Sequence, residues 1–276
     1  MLKNNKMTKI LDYTEESPMI KLRYLKQLKS PQLLNIFAPH LDSEINKDTG
    51  KPFSKKDIDL QVGCIKKYVR IALENEGKVR QQYKFKTLDC NERCWGCGLT
   101  YQNMRAELRD WLTQDIYNDI DLSNCAPRIV LHLAKSDDIL APTLEKYCKN
   151  REEFLKTYLP GWSKLDIIKN VINGKKKRSE WLPTVKIFYD EIQRIKKIYL
   201  PHSNNLSSDW SRLVYQYENK LLFEAVEFIG ADNVGALIHD GFLVKKDISV
   251  DLNLLNDLPF AKELSMTWKI KPSWFE

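Results

Sequence analysis

The sequence predicts an α+β fold in which a mixed or antiparallel sheet is covered by helices. Short strand-like segments alternate with helical segments from about Tyr83 onward. Two of those strands are joined by Asp-Gly, a preferred dipeptide of tight hairpin turns. With 276 residues and 43% hydrophobic content, the chain is long enough to bury the core of one large domain or two small ones.

The first 90 residues are expected to be mainly helical and basic. Residues 58–76 carry apolar side chains at helical spacing, which predicts an amphipathic helix. Residues 47–56 are polar and contain glycine and proline, a composition typical of a loop. The domain boundary expected near residue 90 follows the change to alternating strands and helices, which begins at about Tyr83.

The later elements follow from periodicity and from turn residues. A strand is predicted at 118–122, and Pro127 suits the first turn of the helix that follows it. A hairpin is predicted from strands 234–239 and 242–245, with Asp240-Gly241 as its turn. The remaining predicted elements are helices at 144–158, 165–172, 181–199 and 210–228, and a last strand at 265–270.

The charge balance indicates a polyanionic partner. The formal net charge is +7, and the release of counterions favours binding of basic proteins to phosphate backbones. No apolar run approaches the roughly 18 residues that span a membrane, and no apolar stretch follows the lysine-rich first residues. We therefore expect no membrane partner and no signal peptide, and a cytoplasmic protein, or one at a host replication site if the chain is viral.

The six cysteines are scattered, and we expect them to be reduced thiols. Cys90, Cys94 and Cys97 have the spacing C-x3-C-x2-C. A structural zinc site needs four ligands, and the fourth would have to come from Cys64, Cys125 or a distant histidine. No zinc is therefore expected, and the alternative of a zinc site remains open.

Two acidic motifs could carry chemistry. Asp119 and Asp121 alternate on the predicted strand and so face one side, where two carboxylates repel unless they are solvated or hold a cation such as Mg²⁺. Asp240 lies at the predicted hairpin turn after His239. Adjacent strands could bring Asp121 and Asp240 to one end of a sheet, where two metal ions would support phosphoryl transfer. An exposed strand end and an ordinary turn are the alternatives.

These two motifs resemble those of a known enzyme family. Residues 121–134 (DLSNCAPRIVLHLA) are similar to motif A of family A DNA polymerases, with Asp121, Ser123 and Arg128 in register and His132 at the position of a helix histidine. Residues 237–244 (LIHDGFLV) resemble motif C of the same family, with His239 and Asp240 matching.

Weaker similarities follow in the same order and extend the resemblance over about two-thirds of the chain. Residues 98–105 (GLTYQNMR) resemble the segment upstream of motif A, and Arg93 lies near the position of a family arginine. Residues 164–174 (KLDIIKNVING) resemble the motif B helix, and residues 264–274 resemble the closing strand.

The resemblance implies a right-hand polymerase palm in residues 91–276, with reduced helical fingers at about 140–200 and residues 1–90 as a trimmed thumb. It implies a template-directed nucleotidyltransferase that uses two Mg²⁺ ions, for which Mn²⁺ is a substitute, together with nucleoside triphosphates and a DNA or RNA primer–template. A helicase or primase would be a replication partner. The implied metal ligands are Asp121, Asp240 and the carbonyl of Leu122. The implied nucleotide contacts are Lys164, Lys169, Asn173, Leu122 and Ala126, and the implied nucleic-acid contacts are Arg93, Gln102, Asn103, Arg105 and His239.

The sequence also departs from the family pattern. Ala126 replaces the motif A glutamate that helps to exclude ribonucleotides, so RNA synthesis or primase activity is an alternative. The tyrosine before Gly174 is missing, and Gly241 stands where motif C has glutamate. The 90 N-terminal residues are too few for a thumb and an exonuclease, so no proofreading is expected. An inactive palm that only binds nucleic acid would also fit the sequence, and a D-x-D glycosyltransferase using Asp119 and Asp121 fits it less well.

Overall fold

The computed structural model describes residues 10–37, 54–84 and 95–273. It confirms an α+β fold, in which helices surround two antiparallel sheets. The smaller sheet has the strand order Ile10–Glu16, Lys78–Lys84, Trp95–Gly96, and the larger sheet has the order Val234–Ile238, Gly241–Lys245, Tyr117–Leu122, Trp268–Ile270. Of the two kinds of sheet expected, the described strands form the antiparallel one, because every strand pair among them is antiparallel.

The described part of the N-terminal region is mainly helical, as expected, and it also contains two strands that the sequence does not predict. Its elements are β1 (Ile10–Glu16), α1 (Met19–Gln27), α2 (Ser30–Phe37), α3 (Lys55–Glu74) and β2 (Lys78–Lys84). In β2, buried and exposed residues alternate strictly along the strand. Of the three buried positions, Val79 and Tyr83 are apolar and Gln81 is polar. The Gln81 side chain donates a hydrogen bond to the carbonyl of Leu99, which allows its burial. Because one buried position is polar, the sequence of β2 does not show the alternation of a strand.

Helix α3 begins earlier than the apolar pattern indicates. Ser54 caps it by accepting a hydrogen bond from the Asp57 backbone, and the Asp57 carboxylate accepts one from the Ser54 backbone. This capping box satisfies two backbone donors at the helix start. Lys55 and Lys56 are therefore helical, whereas residues 47–53 of the predicted loop lie outside the described residues.

The larger sheet lies between two hydrophobic cores. Its strands are β4 (Tyr117–Leu122), β5 (Val234–Ile238), β6 (Gly241–Lys245) and β7 (Trp268–Ile270). In β6, Phe242 and Val244 belong to one core, which also contains Trp210, whereas Leu243 belongs to the other. Because alternate residues of a strand face opposite sides, this sheet is covered on both faces. Residues 265–267 precede the last strand, which is shorter than predicted.

Helices cover both faces of the larger sheet, with Leu108 in the core of Leu243 and Ile129 in the core of Phe242 and Val244. After β3 (Trp95–Gly96), α4 (Ala106–Thr113) leads into β4, and α5 (Cys125–Ser136) follows β4 as the sequence predicts. The C-terminal part adds α10 (Leu206–Ile229), α11 (Leu252–Asn256) and α12 (Pro259–Glu263). Among the helices of the described ranges, none combines the length and the apolar character that crossing a bilayer requires.

Residues 140–200 form a helical subdomain. Its helices are α6 (Pro142–Lys149), α7 (Arg151–Tyr158), α8 (Lys164–Asp166) and α9 (Pro183–Tyr199), with a π-helical turn at Ile167–Ile172 after α8. The helix predicted at 144–158 is two helices, because the Asn150 side chain accepts a hydrogen bond from the Glu153 backbone and starts a new helix. The helix predicted at 165–172 is mostly the π-helical turn.

Gly174 allows this π-helical turn to end tightly. A Cβ atom at Gly174 would lie 1.8 Å from the carbonyl oxygen of Asn170, so no other residue fits without a backbone shift. The Gly174 carbonyl accepts a hydrogen bond from Lys196 on α9, whose Nζ lies 3.3 Å away. Burial lowers the pKa of Lys196 from 10.5 to about 8. The turn is thus anchored to α9.

Glu191 on α9 stabilises the start of α6, and its loss should have a measurable cost. The carboxylate accepts hydrogen bonds from the backbones of Thr143 and Leu144 and from the Thr143 hydroxyl. We expect Glu191→Ala to lower the free energy of unfolding by about 2–4 kcal/mol, since buried donors lose a charged partner. Chemical denaturation measures this loss.

Asp190 provides the control for Glu191, because it is adjacent in sequence but exposed. Its ion pair with Lys177 lies at the surface, where such pairs contribute about 0–1 kcal/mol. Asp190→Ala should therefore stay close to the wild type. Equal losses in the two variants would show that the Glu191 contacts do not stabilise the α6 start.

Candidate active site

The site begins at the end of strand β4, where a hairpin tip lies beside it. Asp121 is the register partner of Gly241, and the Leu122 backbone donates a hydrogen bond to the carbonyl of Asp240 at 3.3 Å. The turn residues are His239 and Asp240, with Gly241 already in β6, which corrects the predicted Asp-Gly turn by one residue. The structure therefore brings Asp121 and Asp240 together, although they are far apart in sequence.

Gly241 is required by the close approach of β4. A Cβ atom at this position would lie 2.3 Å from the carbonyl oxygen of Ile120. The glutamate of family motif C would not fit here without a shift of the backbone. Local packing thus explains the glycine at this position.

Asp121 is a buried carboxyl beside another carboxyl. Burial raises its pKa, and the charge of Asp240 raises it further. Lys271, Lys164 and Lys269 act in the opposite direction, and the Lys271 Nζ lies 3.6 Å from the Asp121 carboxylate. Because the pKa remains raised, the nearby lysines do not fully offset the cost of holding charge at this position.

Asp119 faces the same side as Asp121 but is paired differently. Its carboxylate lies 3.9 Å from Arg109 and 4.0 Å from Lys271, and burial is the main cause that raises its pKa. Asp119 therefore has Arg109 as a partner of its own and shares Lys271 with Asp121, which also faces Asp240.

Of the predicted nucleotide contacts, Lys164 is the one whose charge acts on Asp121. Lys169 is exposed on the π-helical turn, and the carboxyl on which its charge acts is that of Asp166. Asn173 ends the turn, and its carbonyl accepts a hydrogen bond from Ser207. The structure thus distinguishes the two lysines, which the sequence leaves equivalent.

The other two predicted nucleotide contacts lie on β4 and α5. Ala126 is half-buried in the first turn of α5 and packs against the hydrophobic core. Leu122 has a fully buried side chain, so only its backbone is available to a ligand.

The predicted nucleic-acid contacts Gln102 and Asn103 hold the loop before α4. Gln102 is buried, and its side-chain oxygen accepts a hydrogen bond from the Gly96 backbone at 2.9 Å. The Asn103 side chain accepts from the Thr100 backbone and donates to the Gly98 carbonyl. These bonds fix the loop conformation, so any contact of Gln102 with nucleic acid would be indirect.

The remaining predicted contacts differ in their surroundings. Arg105 is half-buried, and its Nε lies 3.7 Å from the Glu107 carboxylate. His239 lies in the hairpin turn with a positive φ of 53° and contacts the ring of Trp95. Arg93 lies outside the described residues.

Three residues near the two carboxylates are not among the site residues predicted from the sequence: Lys269, Lys271 and Trp95. The two lysines alternate along and just beyond β7, which pairs with β4 through Asp121 and Lys269. The spacing of the two lysines around a predicted strand indicates that they share one face. Their position beside Asp121 depends on the pairing of β7 with β4, which are distant in sequence. Trp95 carried no signal in the sequence.

The cysteines contribute no metal centre to the described part of the chain. Cys64, Cys97, Cys125 and Cys148 are not joined in disulfide bonds, and Cys90 and Cys94 lie outside the described residues. Burial raises the pKa of Cys148 to about 12. No group of three or more His, Cys, Asp or Glu side chains that could hold a metal ion occurs within residues 10–37, 54–84 and 95–273.

No protein-family model matches the sequence, and no curated protein is significantly similar to it.

Proposed function

We propose that this chain is a template-directed nucleotidyltransferase that extends a nucleic-acid strand, as family A DNA polymerases do. The observation that carries the proposal is the pairing of Asp121 and Asp240 at one end of the larger sheet, with three lysines near Asp121. A buried carboxylate beside a second one is costly unless the pair serves a ligand, and groups with raised pKa values cluster at functional sites. The net charge of +7 supports a polyanionic substrate.

The donor set fits magnesium. Carboxylate and carbonyl oxygens are the ligands that this ion prefers, and it usually binds through one or two carboxylates together with substrate phosphates. Asp121, Asp240 and the backbone carbonyl of Leu122 would hold the metal. When bound, the metal ions would neutralise charge on the attacking and leaving oxygens of the phosphoryl transfer.

The protein side chains would mainly position the reactants. Phosphoryl transfer needs little covalent participation by the enzyme, so cations near the triphosphate supply most of the remaining stabilisation. Lys164 is suited to this task because it belongs to the helical subdomain and its charge reaches Asp121. Lys269 and Lys271 add positive charge on the opposite side of β4 from the hairpin.

Extension of a labelled primer–template tests the proposal. Wild-type protein and Asp240→Asn are compared in magnesium buffer, with deoxyribonucleotides and ribonucleotides supplied separately. We expect template-dependent growth with the wild type and none with the variant. The nucleotide set that supports growth would decide the sugar choice that Ala126 leaves open. Absence of growth with both sets, on primed and unprimed templates, would contradict the proposal.

The two lysines of the helical subdomain should differ in their effect on nucleotide use. We expect Lys164→Ala to raise the KM for the nucleoside triphosphate by roughly 10- to 100-fold, since a charged hydrogen bond contributes about 1.5–3 kcal/mol. Lys169→Ala should change it by less than about threefold, because Lys169 is exposed and its charge is not among those acting on Asp121. Steady-state extension with varied nucleotide measures both, and the reverse ranking would assign the contact to Lys169.

A further inference from the structure

Trp95 is an exposed aromatic residue at the candidate site. Its side chain is 45% exposed, and it is the one tryptophan among the large exposed apolar residues of the described ranges. Trp210 and Trp268 are buried to 1% exposure or less. Tryptophan is enriched at interfaces, so an exposed indole beside the candidate site is suited to contact with a ligand.

The backbone of Trp95 belongs to the two-residue strand β3. Strand β3 pairs with the end of β2, so that Trp95 lies opposite Lys84 and Gly96 opposite Tyr83. The Gly96 backbone also donates to Gln102, the buried amide described above. Register partners project to the same side of an antiparallel sheet, so the exposed Lys84 lies on the same face as the indole. An aromatic surface and a cation are thereby presented side by side.

The ring of Trp95 reaches the hairpin that carries Asp240. It makes an edge-to-face contact with His239, with ring centroids 5.7 Å apart and an interplanar angle of 76°. His239 directly precedes Asp240 in the turn. The exposed indole therefore contacts the residue next to a candidate catalytic carboxylate.

We propose that Trp95 is a stacking platform for a base of the nucleic acid next to its reacting end, with Lys84 contacting the phosphate backbone. Every base has an aromatic face, so this contact gives affinity without sequence preference. A protein ligand would be a different proposal, and the charge of Lys84 beside the ring favours a polyanion. The inference rests on the proposed function, because that function defines which end of the strand lies at Asp121 and Asp240.

Equilibrium binding tests this role without any turnover. A fluorescein-labelled primer–template is titrated in magnesium-free buffer containing EDTA. We expect Trp95→Ala to weaken binding by roughly 5- to 100-fold, the usual effect of losing one stacked base, and Trp95→Phe to retain most of the affinity. Tyr24→Ala is the matched control, because Tyr24 is equally exposed at 45% but lies on α1. It should bind as the wild type does.

An abasic nucleotide separates stacking from a general structural effect. Wild-type protein should lose affinity when the abasic nucleotide is placed within the last few positions of the primer, and not when it is remote from that end. Trp95→Ala should show no further loss with the terminal abasic primer. Equal additional losses in both proteins, or unchanged binding by Trp95→Ala, would overturn the inference.

The two proposals fail in different ways. If the wild type extends primers and Trp95→Ala binds and extends equally well, the stacking role fails while the function stands. If the wild type binds the primer–template through Trp95 but extends it with neither nucleotide set, the nucleotidyltransferase proposal fails while the stacking role stands. A wild type that does not bind the primer–template overturns the stacking role.

Discussion

Asp121→Asn is expected to reduce template-directed extension by about 1,000-fold or more, which corresponds to roughly 4 kcal/mol of transition-state stabilisation. The reason is that an asparagine oxygen is a weaker ligand for a divalent cation than a carboxylate. Asp119→Asn should stay within about tenfold of the wild type, because Asp119 lies between Arg109 and Lys271 instead of facing Asp240. Single-turnover extension in magnesium measures both variants.

Thermal unfolding gives the control for this comparison. The pKa of Asp121 is raised by burial and by Asp240, so its charged form costs folding free energy at neutral pH. Asp121→Asn should therefore unfold at the same temperature as the wild type or at a higher one. Loss of extension together with a lower unfolding temperature would mean that the variant is merely misfolded.

Magnesium provides a readout of Asp121 that is independent of catalysis. A ligand that binds only the folded state raises its stability in proportion to the logarithm of concentration. Millimolar Mg²⁺ should raise the unfolding temperature of the wild type and have a much smaller effect on Asp121→Asn. Equal shifts in both proteins would place magnesium elsewhere. Loss of extension in Asp119→Asn as complete as in Asp121→Asn would mean that Asp119 also belongs to the metal site.

The site strands could be predicted from the sequence because their signals are local. In strand β4, acidic and apolar residues alternate from Asp119 to Leu122, and the hairpin has a glycine one position after Asp240. The predicted turn is wrong by one residue because Gly241 is needed for its close contact with the Ile120 backbone on β4. This contact joins segments that are distant in sequence. Local patterns therefore indicated the location of the carboxylates but not the reason for the glycine.

The parts that could not be predicted depend on contacts between distant segments. Strand β2 is rich in Lys, Arg and Gln, so it shows no clear alternation of apolar residues. Its partner β1 is separated from it in sequence by helices α1, α2 and α3, so the pairing is not visible locally. The same limit applies to the lysines near Asp121, since Lys271 and Lys164 approach it from distant parts of the chain. Charge type is visible in a sequence, whereas the partner of each charge is fixed by the tertiary fold.

Glu15 on β1 should make the stability of the protein depend on pH. Its carboxyl is fully buried, accepts a hydrogen bond from the Tyr101 backbone at 2.7 Å, and lies near the Gln81 side chain. Burial is the main cause that raises its pKa from the usual 4.5 to about 8, against the smaller opposing effect of these hydrogen bonds. The folded state therefore keeps a proton that the unfolded state releases between these two pH values.

The sign of the effect follows from this retained proton. A group whose pKa is higher in the folded state contributes its full stabilisation below pH 4.5, and that contribution is lost as the pH rises through about 8. Glu15→Gln keeps the shape and the acceptor but cannot ionise. At pH 8.5 the variant should be more stable than the wild type by about 3–5 kcal/mol, and at pH 4.5 the two should be nearly equal.

Chemical denaturation at several pH values between 4.5 and 8.5 measures this difference. Glu16→Gln is the matched control, because Glu16 is the next residue of the same strand but is only half-buried, with its backbone bonded to the Tyr117 hydroxyl. Its stability should follow that of the wild type at every pH. A constant difference between Glu15→Gln and the wild type would mean that Glu15 is ionised in the folded protein. A difference in stability that grows with pH would mean that Glu15 is protonated in the folded protein. Because this carboxyl joins β1 to the loop that carries Gln102 and Asn103, its protonation would then stabilise the loop beside the site.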